Sequence, residues 1–241
     1  TAGMGTVAGS VMLLYVNFLD GIIPNPLGHI LTASLISAPA AIMVALLMIP
    51  EDPDRADDTS DAHVQFPSEE GDNVMAVVTR GTLEGVQLVI NIIAMLIVLV
   101  ALVTLTNMIM GILPYVNGEP LTLQRILGWV MAPVAWLIGI PWSEAFTAGS
   151  LLGTKTILNE LIAYIDFSQL PEDALSPRSR LIMTYALCGF ANLASIGIGI
   201  GALVTMAPER RRDIIELVPR AVISGTITTL LTGAMVGVIA T

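Results

Sequence analysis

Long stretches without a charged side chain constrain this chain more than any other feature of its sequence. Five of these apolar stretches stand out, and several exceed the roughly 20 residues that a helix needs to cross a bilayer core. They are 30–49, 85–118, 126–143, 181–208 and 221–241. The alternating pattern of barrel strands, about ten residues each, is absent. We therefore predict an all-α polytopic membrane protein.

The composition is that of a chain surrounded by lipid. Mean hydropathy is +0.80 and 12% of the residues are charged, against about 25% in soluble globular domains. The single cysteine, Cys188, excludes a disulfide within the chain, and we interpret it as a buried thiol. His29 and His63 lie far apart in sequence, so no cluster of soft metal ligands is predicted.

Acidic residues are concentrated in one segment. Residues 51–72 carry nine of the twenty acidic side chains and two prolines, which predicts a solvated loop because so polar a segment cannot bury a core. We interpret the wider interval 51–84 as an acidic cytoplasmic loop that links two helices. An acidic binding segment is the alternative.

Glycines, prolines and polar residues divide the rest of the chain into helical units. We predict a broken transmembrane segment and one transmembrane helix in 1–50, a long tilted scaffold helix in 85–113, an interfacial helix with a re-entrant hairpin in 121–164, and a broken helix with the last transmembrane helix in 181–241. The scaffold helix would be about 43 Å long at 1.5 Å per residue. This length exceeds the hydrocarbon thickness, so tilt and packing against other subunits are favoured.

The sequence GIPWSEAFTAG at 139–149 contains the most informative carboxylate. Pro141 would break a helix, Ser143 stands at an N-cap-like position, and Glu144 would open the next helix. A carboxylate at membrane depth costs about 2.5–3.5 kcal/mol on insertion scales. A functional role is therefore favoured over an interhelical structural hydrogen bond. Broken helices that end inside the membrane are typical of secondary transporters.

Residues 189–201, GFANLASIGIGIG, repeat this pattern with four glycines and two polar side chains. The small residues either permit close helix packing or mark an unwound or kinked segment. Asn192 and Ser195 are three residues apart and would share one helical face. An ionised Glu144 is an acceptor only, so the three side chains suit a hydroxyl-rich neutral ligand, such as a sugar, better than an anion.

The basic residues predict the orientation of the chain in the membrane. If 121–164 returns to its starting side, the loops at 50–84 and 207–220 share one face and carry six arginines, against three on the other face. This excess predicts that the acidic loop is cytoplasmic and that the C-terminus lies outside.

Two ordered motifs resemble the concentrative nucleoside transporter family. GIPWSEAFTAGSLLGTKTILNELIAY at 139–164 is similar to the family's second re-entrant hairpin, and ALCGFANLASIGI at 186–198 is similar to its seventh transmembrane segment. GTVAGSVM at 5–12 resembles its broken fourth segment. The resemblance covers essentially the whole chain but only the C-terminal part of the family's fold. We therefore expect a partial transporter fold, and a chain that is a piece of a longer protein.

The resemblance implies a cation-coupled nucleoside symporter that imports its substrate by alternating access, and not an enzyme. It implies that ribose hydroxyls bind to Glu144, Asn192 and Ser195. It also implies that Val11 and Phe190 line the base side. The groups that read the rest of the nucleobase would lie in the missing part of the fold.

The resemblance also implies the coupling ion and the partners. Thr6 and Val7 match positions that contribute oxygens to a sodium ion, with proton coupling as the alternative. The family is homotrimeric, and 85–113 resembles its scaffold helix, so we expect a homotrimer in the cell membrane and no nucleic-acid partner. Other candidate functions are a different secondary transporter, a structural subunit, and a membrane-embedded enzyme acting on a lipid or polyol. That enzyme would need an acid–base pair, which only Glu144 and Glu160 could supply.

Overall fold

Ten α-helices form most of the described part of the protein, which in this computed structural model comprises residues 1–50, 74–116, 118 and 120–240. They are α1 (Ala2–Gly5), α2 (Gly9–Leu19), α3 (Pro26–Met48), α4 (Val74–Met110), α5 (Leu123–Leu137), α6 (Trp142–Ile157), α7 (Glu160–Ser168), α8 (Pro177–Leu187), α9 (Leu193–Met206) and α10 (Arg211–Ile239). Short 3₁₀ turns lie at Glu172–Ala174 and Pro208–Arg210. The all-α prediction is confirmed.

The first segment is broken near its start, as its glycines predicted. α1 ends at Gly5, Thr6 adopts an extended backbone with φ −113° and ψ 173°, and α2 begins at Gly9. The backbone N–H and C=O groups of such a break have no intrahelical partners, so they need other protein groups or a ligand.

The following helix, α3, is a single element of 23 residues. Asn25 stands before it with φ 49°, and its side chain accepts a hydrogen bond from Gly28 N at 3.3 Å. Pro26 occupies the first helical position, where no N–H is needed. α3 and the continuous stretch Pro208–Ile239 are each long and apolar enough to cross a membrane.

The long helix α4 begins earlier than predicted. It covers Val74–Met110, which is 37 residues or about 55 Å of helix. Residues 74–84, assigned to the acidic loop, are therefore helical, because they contain no proline and are mostly apolar. The predicted loop at 51–73 lies outside the described residues.

α4 touches little of the remaining fold. It contacts α5 and α9, and Asn107 anchors its end, with Nδ2 donating to Gln124 Oε1 at 3.0 Å and Oδ1 accepting from Leu123 N at 2.9 Å. Large apolar side chains such as Ile90 and Ile97 stay exposed along its length. Such a surface is suited to lipid or to another protein chain.

α5 and α6 form a bent pair, as the proline at 141 predicted. Their axes differ by 120° across the break between them, and Gly139 in this break has φ +101°, a conformation that glycine adopts at low cost. A Cβ on Gly149 would lie 2.6 Å from Gly128 O, so the two helices pack backbone to backbone. The N-cap of α6 is Pro141 and not Ser143, because Trp142 and Ser143 are already helical.

A second break, which the sequence analysis did not predict, separates α6 from α7. Leu158 has φ −91° and ψ −92°, and the extended Asn159 caps α7 by accepting a hydrogen bond from Ile162 N at 2.9 Å. Glu160 is the first residue of α7. An asparagine followed by an acid is a local signal for a helix N-terminus, but the apolar residues around it favoured one continuous helix.

The C-terminal half contains the predicted broken helix. α8 ends at Leu187 and α9 begins at Leu193, so the break lies at the start of the predicted kinked segment 189–201. The later glycines of that segment are part of α9. α10 begins at Arg211, ten residues before the apolar stretch 221–241, because its charged first turns continue the same helix.

Small residues bring the first and last broken helices together against α10. A Cβ on Gly189 would lie 3.2 Å from both Gly5 O and Met4 O and would collide with the methyl group of Thr229. A Cβ on Gly225 of α10 would lie 2.6 Å from Met4 Cβ. The breaks at 6–8 and 188–192 are therefore neighbours in space, although they lie far apart in sequence.

Candidate functional site

A buried carboxylate, that of Glu160, is the centre of a polar cluster at the helix breaks. Glu160 is 7% exposed. Its Oε1 accepts a hydrogen bond from Tyr15 Oη at 3.0 Å, and its Oε2 accepts one from Asn192 Nδ2 at 3.1 Å. Glu160 also opens α7, where the positive end of the helix dipole favours a negative charge. The cluster thus joins α2, α7 and the break before α9.

Asn192 and Ser195 lie together, but not on one helical face as predicted, because Asn192 is the extended N-cap of α9. The two residues form a reciprocal helix cap. Asn192 Oδ1 accepts from Ser195 N at 2.8 Å, and Ser195 Oγ lies 3.1 Å from Asn192 N, which donates to it. Ser195 Oγ also donates to Asn192 O at 2.6 Å. This capping box satisfies backbone groups at the start of α9. It orients the Asn192 amide so that Nδ2 faces Glu160 and also donates to Phe190 O at 3.2 Å.

Glu144 does not belong to this cluster. Its Oε2 accepts hydrogen bonds from Ser176 N and Ser176 Oγ, both at 3.1 Å, and Ser176 is the N-cap of α8. From Glu144 to the end of α6 the helix runs about 20 Å at 1.5 Å per residue, so the two acids stand at opposite ends of α6. The structure therefore does not bring Glu144 to Asn192 and Ser195, and the acid in that place is Glu160.

Lys155 is a second charged side chain beside the breaks. It is 2% exposed, and its Nζ donates to Ala186 O and to Thr229 Oγ1, each at 2.8 Å. Ala186 lies in the last turn of α8, where a cation complements the negative end of the helix dipole. Lys155 thus connects α6, α8 and α10. A lone basic residue in an apolar segment is the signal that could have identified it.

The comparison with known proteins now decides the family. A family described as "Na+ dependent nucleoside transporter C-terminus" matches residues 29–237. The chain belongs to this nucleoside transporter family. Its relatives are transporters. This family and the apolar helices of the chain show that it is a membrane protein.

Several relatives match nearly the whole chain. The uncharacterized transporter YutK of Bacillus subtilis is 40% identical over 242 residues, which are 98% of this chain and 57% of YutK. Human solute carrier family 28 member 3 is 35% identical over 254 residues, covering 99% of this chain and 36% of that protein. Mouse sodium/nucleoside cotransporter 1 is 34% identical over 254 residues, covering 99% of this chain and 38% of that protein. The chain therefore spans between about a third and three fifths of these relatives.

Solved structures of CNTnw have the same fold. A CNTnw variant in an intermediate state superposes with a TM-score of 0.81 at 38% identity, and another variant in an outward-facing state gives 0.80 at 40% identity. Both matches cover 99% of this chain and 56% of the CNTnw chain. The predicted transporter fold and the resemblance to concentrative nucleoside transporters are confirmed.

The remaining predicted positions of this nucleoside transporter family member lie at the first break or beside it. Thr6 Oγ1 donates to Ala2 O at 3.0 Å, and Val7 N donates to Ser34 Oγ at 3.4 Å. Val11 is half-buried against the hydrophobic core, and Phe190 is half-buried in the break before α9. In the described ranges no three His, Cys, Asp or Glu side chains form a metal site, so a hard cation there would depend on hydroxyl and carbonyl oxygens.

A cavity between three helices is distinct from the polar cluster. It has a volume of about 300 Å³ and lies between α3, α9 and α10, where apolar residues such as Ala45, Leu203 and Val218 line it. Glu160 is not among its lining residues. Within the polar cluster, Tyr15 and Asn192 hydrogen-bond to Glu160, and Ser195 bonds to Asn192.

Sequence reasoning missed two residues of the cluster besides Lys155. Tyr15 is 0% exposed and bonds Glu160 across 145 positions of sequence, and nothing in its neighbourhood along the chain distinguishes it from other apolar-helix tyrosines. Glu160 stood inside a recognised motif, but only its position after a break would have marked it. The interpretation of Cys188 as a buried free thiol is confirmed.

Proposed function

We propose that this chain is the ribose-binding C-terminal part of a cation-coupled nucleoside symporter, and that Glu160 takes the role the resemblance gave to Glu144. The observation that supports this proposal is the buried Glu160 carboxylate hydrogen-bonded to Asn192 at two helix breaks. Relatives of the chain are named as sodium/nucleoside cotransporters. The ligand would be a nucleoside, bound through its sugar on this side of the site.

The chemistry of the cluster suits sugar hydroxyls. Each carboxylate oxygen has two acceptor positions, so Glu160 can hold its protein donors and still accept hydrogen bonds from a ligand. Hydrogen bonds to a charged group contribute about 1.5–3 kcal/mol each. Both amide hydrogens of Asn192 bond Glu160 and Phe190 O, so towards a ligand Asn192 would act through the remaining lone pair of Oδ1 as an acceptor. The Ser195 N–H fixes the orientation of this amide. Vicinal hydroxyl groups match this set better than an anion does, because Glu160 would repel an anion.

Two apolar side chains would line the base side of the proposed site. Val11 follows the first break on α2, and Phe190 lies in the break before α9. We propose that they pack against the nucleobase, which leaves its polar edge for groups outside this chain. An aromatic ring contributes to base binding without selecting strongly among bases.

Sodium is the proposed coupling ion, and Thr6 and Val7 would contribute oxygens to it at the first break. Support comes from the hydroxyl of Thr6, from the broken backbone there and from the names of the relatives. Thr6→Val should raise the sodium concentration that half-maximal uptake requires, because it removes one oxygen. An unchanged sodium curve would clear Thr6 of this role, and uptake driven equally well by a proton gradient without sodium would make the ion a proton.

The assembly and orientation of the protein are also proposals. The exposed apolar side chains of α4 fit a homotrimer in which this helix packs against lipid and neighbouring subunits. The excess of arginines on one face favours a cytoplasmic acidic loop and a C-terminus outside the cell. Crosslinking of a cysteine introduced on α4 and labelling of a C-terminal tag on intact cells would test the two statements separately.

The decisive experiment is competition during uptake. The full-length protein is reconstituted in proteoliposomes with a sodium gradient, and uptake of a labelled nucleoside is measured against 2′-deoxy and 3′-deoxy analogues. Removal of a bonded hydroxyl leaves buried polar groups unpaired, which weakens binding. We expect affinity to fall about tenfold, which corresponds to about 1.4 kcal/mol. Equal inhibition by the parent and both analogues would refute the ribose assignment. Absence of nucleoside uptake under both sodium and proton gradients would refute the transport function.

A further inference from the structure

Tyr15 binds the same carboxylate as the proposed substrate. It lies on α2, its side chain is fully buried, and its Oη donates to Glu160 Oε1 at 3.0 Å. We propose that Tyr15 is a positioning residue that fixes the plane of the Glu160 carboxylate and thereby sets the selectivity of the site among sugar hydroxyls. This inference rests on the proposed nucleoside site and deepens it.

The Glu160 carboxylate needs two anchors to be fixed in orientation. The terminal torsion of a glutamate side chain is broad, so a single hydrogen bond leaves the carboxylate free to rotate. Here Tyr15 holds Oε1 and Asn192 holds Oε2. The two donors come from different elements, α2 and the break before α9. With both in place, the acceptor positions that remain point in defined directions, which a ligand hydroxyl must match.

The Tyr15 phenol is itself held in place. Its ring stacks on Tyr164, with ring centroids 4.5 Å apart and an interplanar angle of 27°. Because both rings are fully buried, the Tyr15 hydroxyl cannot turn to another acceptor without disturbing the packing. The donor on Oε1 is therefore a rigid part of the site.

A consequence follows for substrate discrimination. With a fixed carboxylate, one ribose hydroxyl is well placed and a shifted hydroxyl is not. Without the Tyr15 donor, Glu160 stays bonded to Asn192, but its second oxygen can follow hydroxyls in several positions. The loss should therefore fall on affinity and on selectivity, and less on the maximal rate.

Tyr164 offers a matched control. Tyr15→Phe and Tyr164→Phe each remove one buried hydroxyl from one of two stacked rings. Only the first touches Glu160, because the Tyr164 hydroxyl bonds a backbone carbonyl. A purely structural contribution of the tyrosine hydroxyls would affect the two variants alike.

The test compares wild type, Tyr15→Phe and Tyr164→Phe of the full-length protein in proteoliposomes. The measured quantities are KM and maximal rate for the nucleoside, and hydroxyl selectivity. Hydroxyl selectivity is the inhibition constant of the more weakly bound of the 2′- and 3′-deoxy analogues divided by KM. For Tyr15→Phe we expect KM to rise about tenfold, the effect of one charge-assisted hydrogen bond, and selectivity to fall towards one. Tyr164→Phe should keep wild-type selectivity even if its thermal stability is lower.

Two results would overturn the positioning role. One is wild-type selectivity in Tyr15→Phe, and the other is an equal loss of selectivity in Tyr164→Phe. If Tyr15→Phe does not fold, Tyr15→His retains a ring N–H donor and should keep part of the selectivity; its complete loss in a folded Tyr15→His protein would count against the proposal. A wild-type protein that transports no nucleoside would instead refute the function proposed above, before any variant is compared.

Discussion

Replacement of Glu160 by glutamine separates the function of the carboxylate from its role in the fold. The amide keeps the size of the side chain. Its carbonyl oxygen can accept from Asn192 Nδ2, and its NH₂ group can donate to the hydroxyl of Tyr15, which is also an acceptor. Both protein neighbours therefore keep a partner. Because Glu160 is 7% exposed, the neutral amide is also easier to bury than the carboxylate. We expect Glu160→Gln to fold with unchanged or slightly higher thermal stability.

Substrate binding by Glu160→Gln should nevertheless fail. A hydrogen bond to a charged acceptor contributes about 1.5–3 kcal/mol and a neutral one about 0.5–1.5 kcal/mol, so each ribose hydroxyl loses about 1–1.5 kcal/mol. Two hydroxyls lose about 2–3 kcal/mol, which corresponds to a decrease in affinity of roughly 30- to 150-fold. Equilibrium binding of nucleoside to the purified full-length variant, with uptake in proteoliposomes, measures this loss.

Glu144→Gln is the control for this experiment. The Glu144 carboxylate accepts hydrogen bonds from Ser176 at the start of α8 and does not contact Glu160 or Asn192. We expect nucleoside affinity close to wild type and a loss of stability of at most about 1 kcal/mol, since a weaker acceptor remains. Wild-type affinity in Glu160→Gln, or an equally large loss in Glu144→Gln, would refute the assignment of the site to Glu160.

Two further predictions concern the contacts that hold the breaks together. Thr229→Val removes an acceptor of the buried Lys155 ammonium and should lower the free energy of unfolding by about 1–3 kcal/mol. The control is Thr226→Val, which loses only a hydrogen bond within α10. Thermal unfolding of both variants measures the difference, and equal losses of stability would contradict the prediction. Gly189→Ala places a Cβ against the methyl group of Thr229 and against backbone oxygens of α1, so it should cost about 1–3 kcal/mol and reduce uptake. The control is Gly3→Ala, which should be tolerated because its Cβ meets no heavy atom within 4 Å. A folded, active Gly189→Ala protein would show that the breaks do not need this close contact.

Local signals in the sequence predicted most of the helices and three of the interruptions. The apolar stretches indicated membrane helices, because no other local structure satisfies backbone hydrogen bonds in lipid. Glycines near the start, Pro141 and the polar residues of 189–201 each marked a real break. Boundaries were less accurate: α4 begins at Val74 and α10 at Arg211, because a helix continues through charged residues when nothing interrupts it.

The sequence by itself thus determined that this is a helical membrane protein with broken helices and a few polar side chains at the breaks. It could not determine which acid meets Asn192. Glu144 and Glu160 both lie in the first turn of a helix that follows a break, both within apolar surroundings, so local pattern treats them alike. Only the tertiary structure decides between them, because it places α2 and the break before α9 beside Glu160. This brings Tyr15 and Asn192 to Glu160 from 145 and 32 positions away. Contacts over such separations depend on the direction in which α6 crosses the fold, and that direction exists only in the tertiary structure.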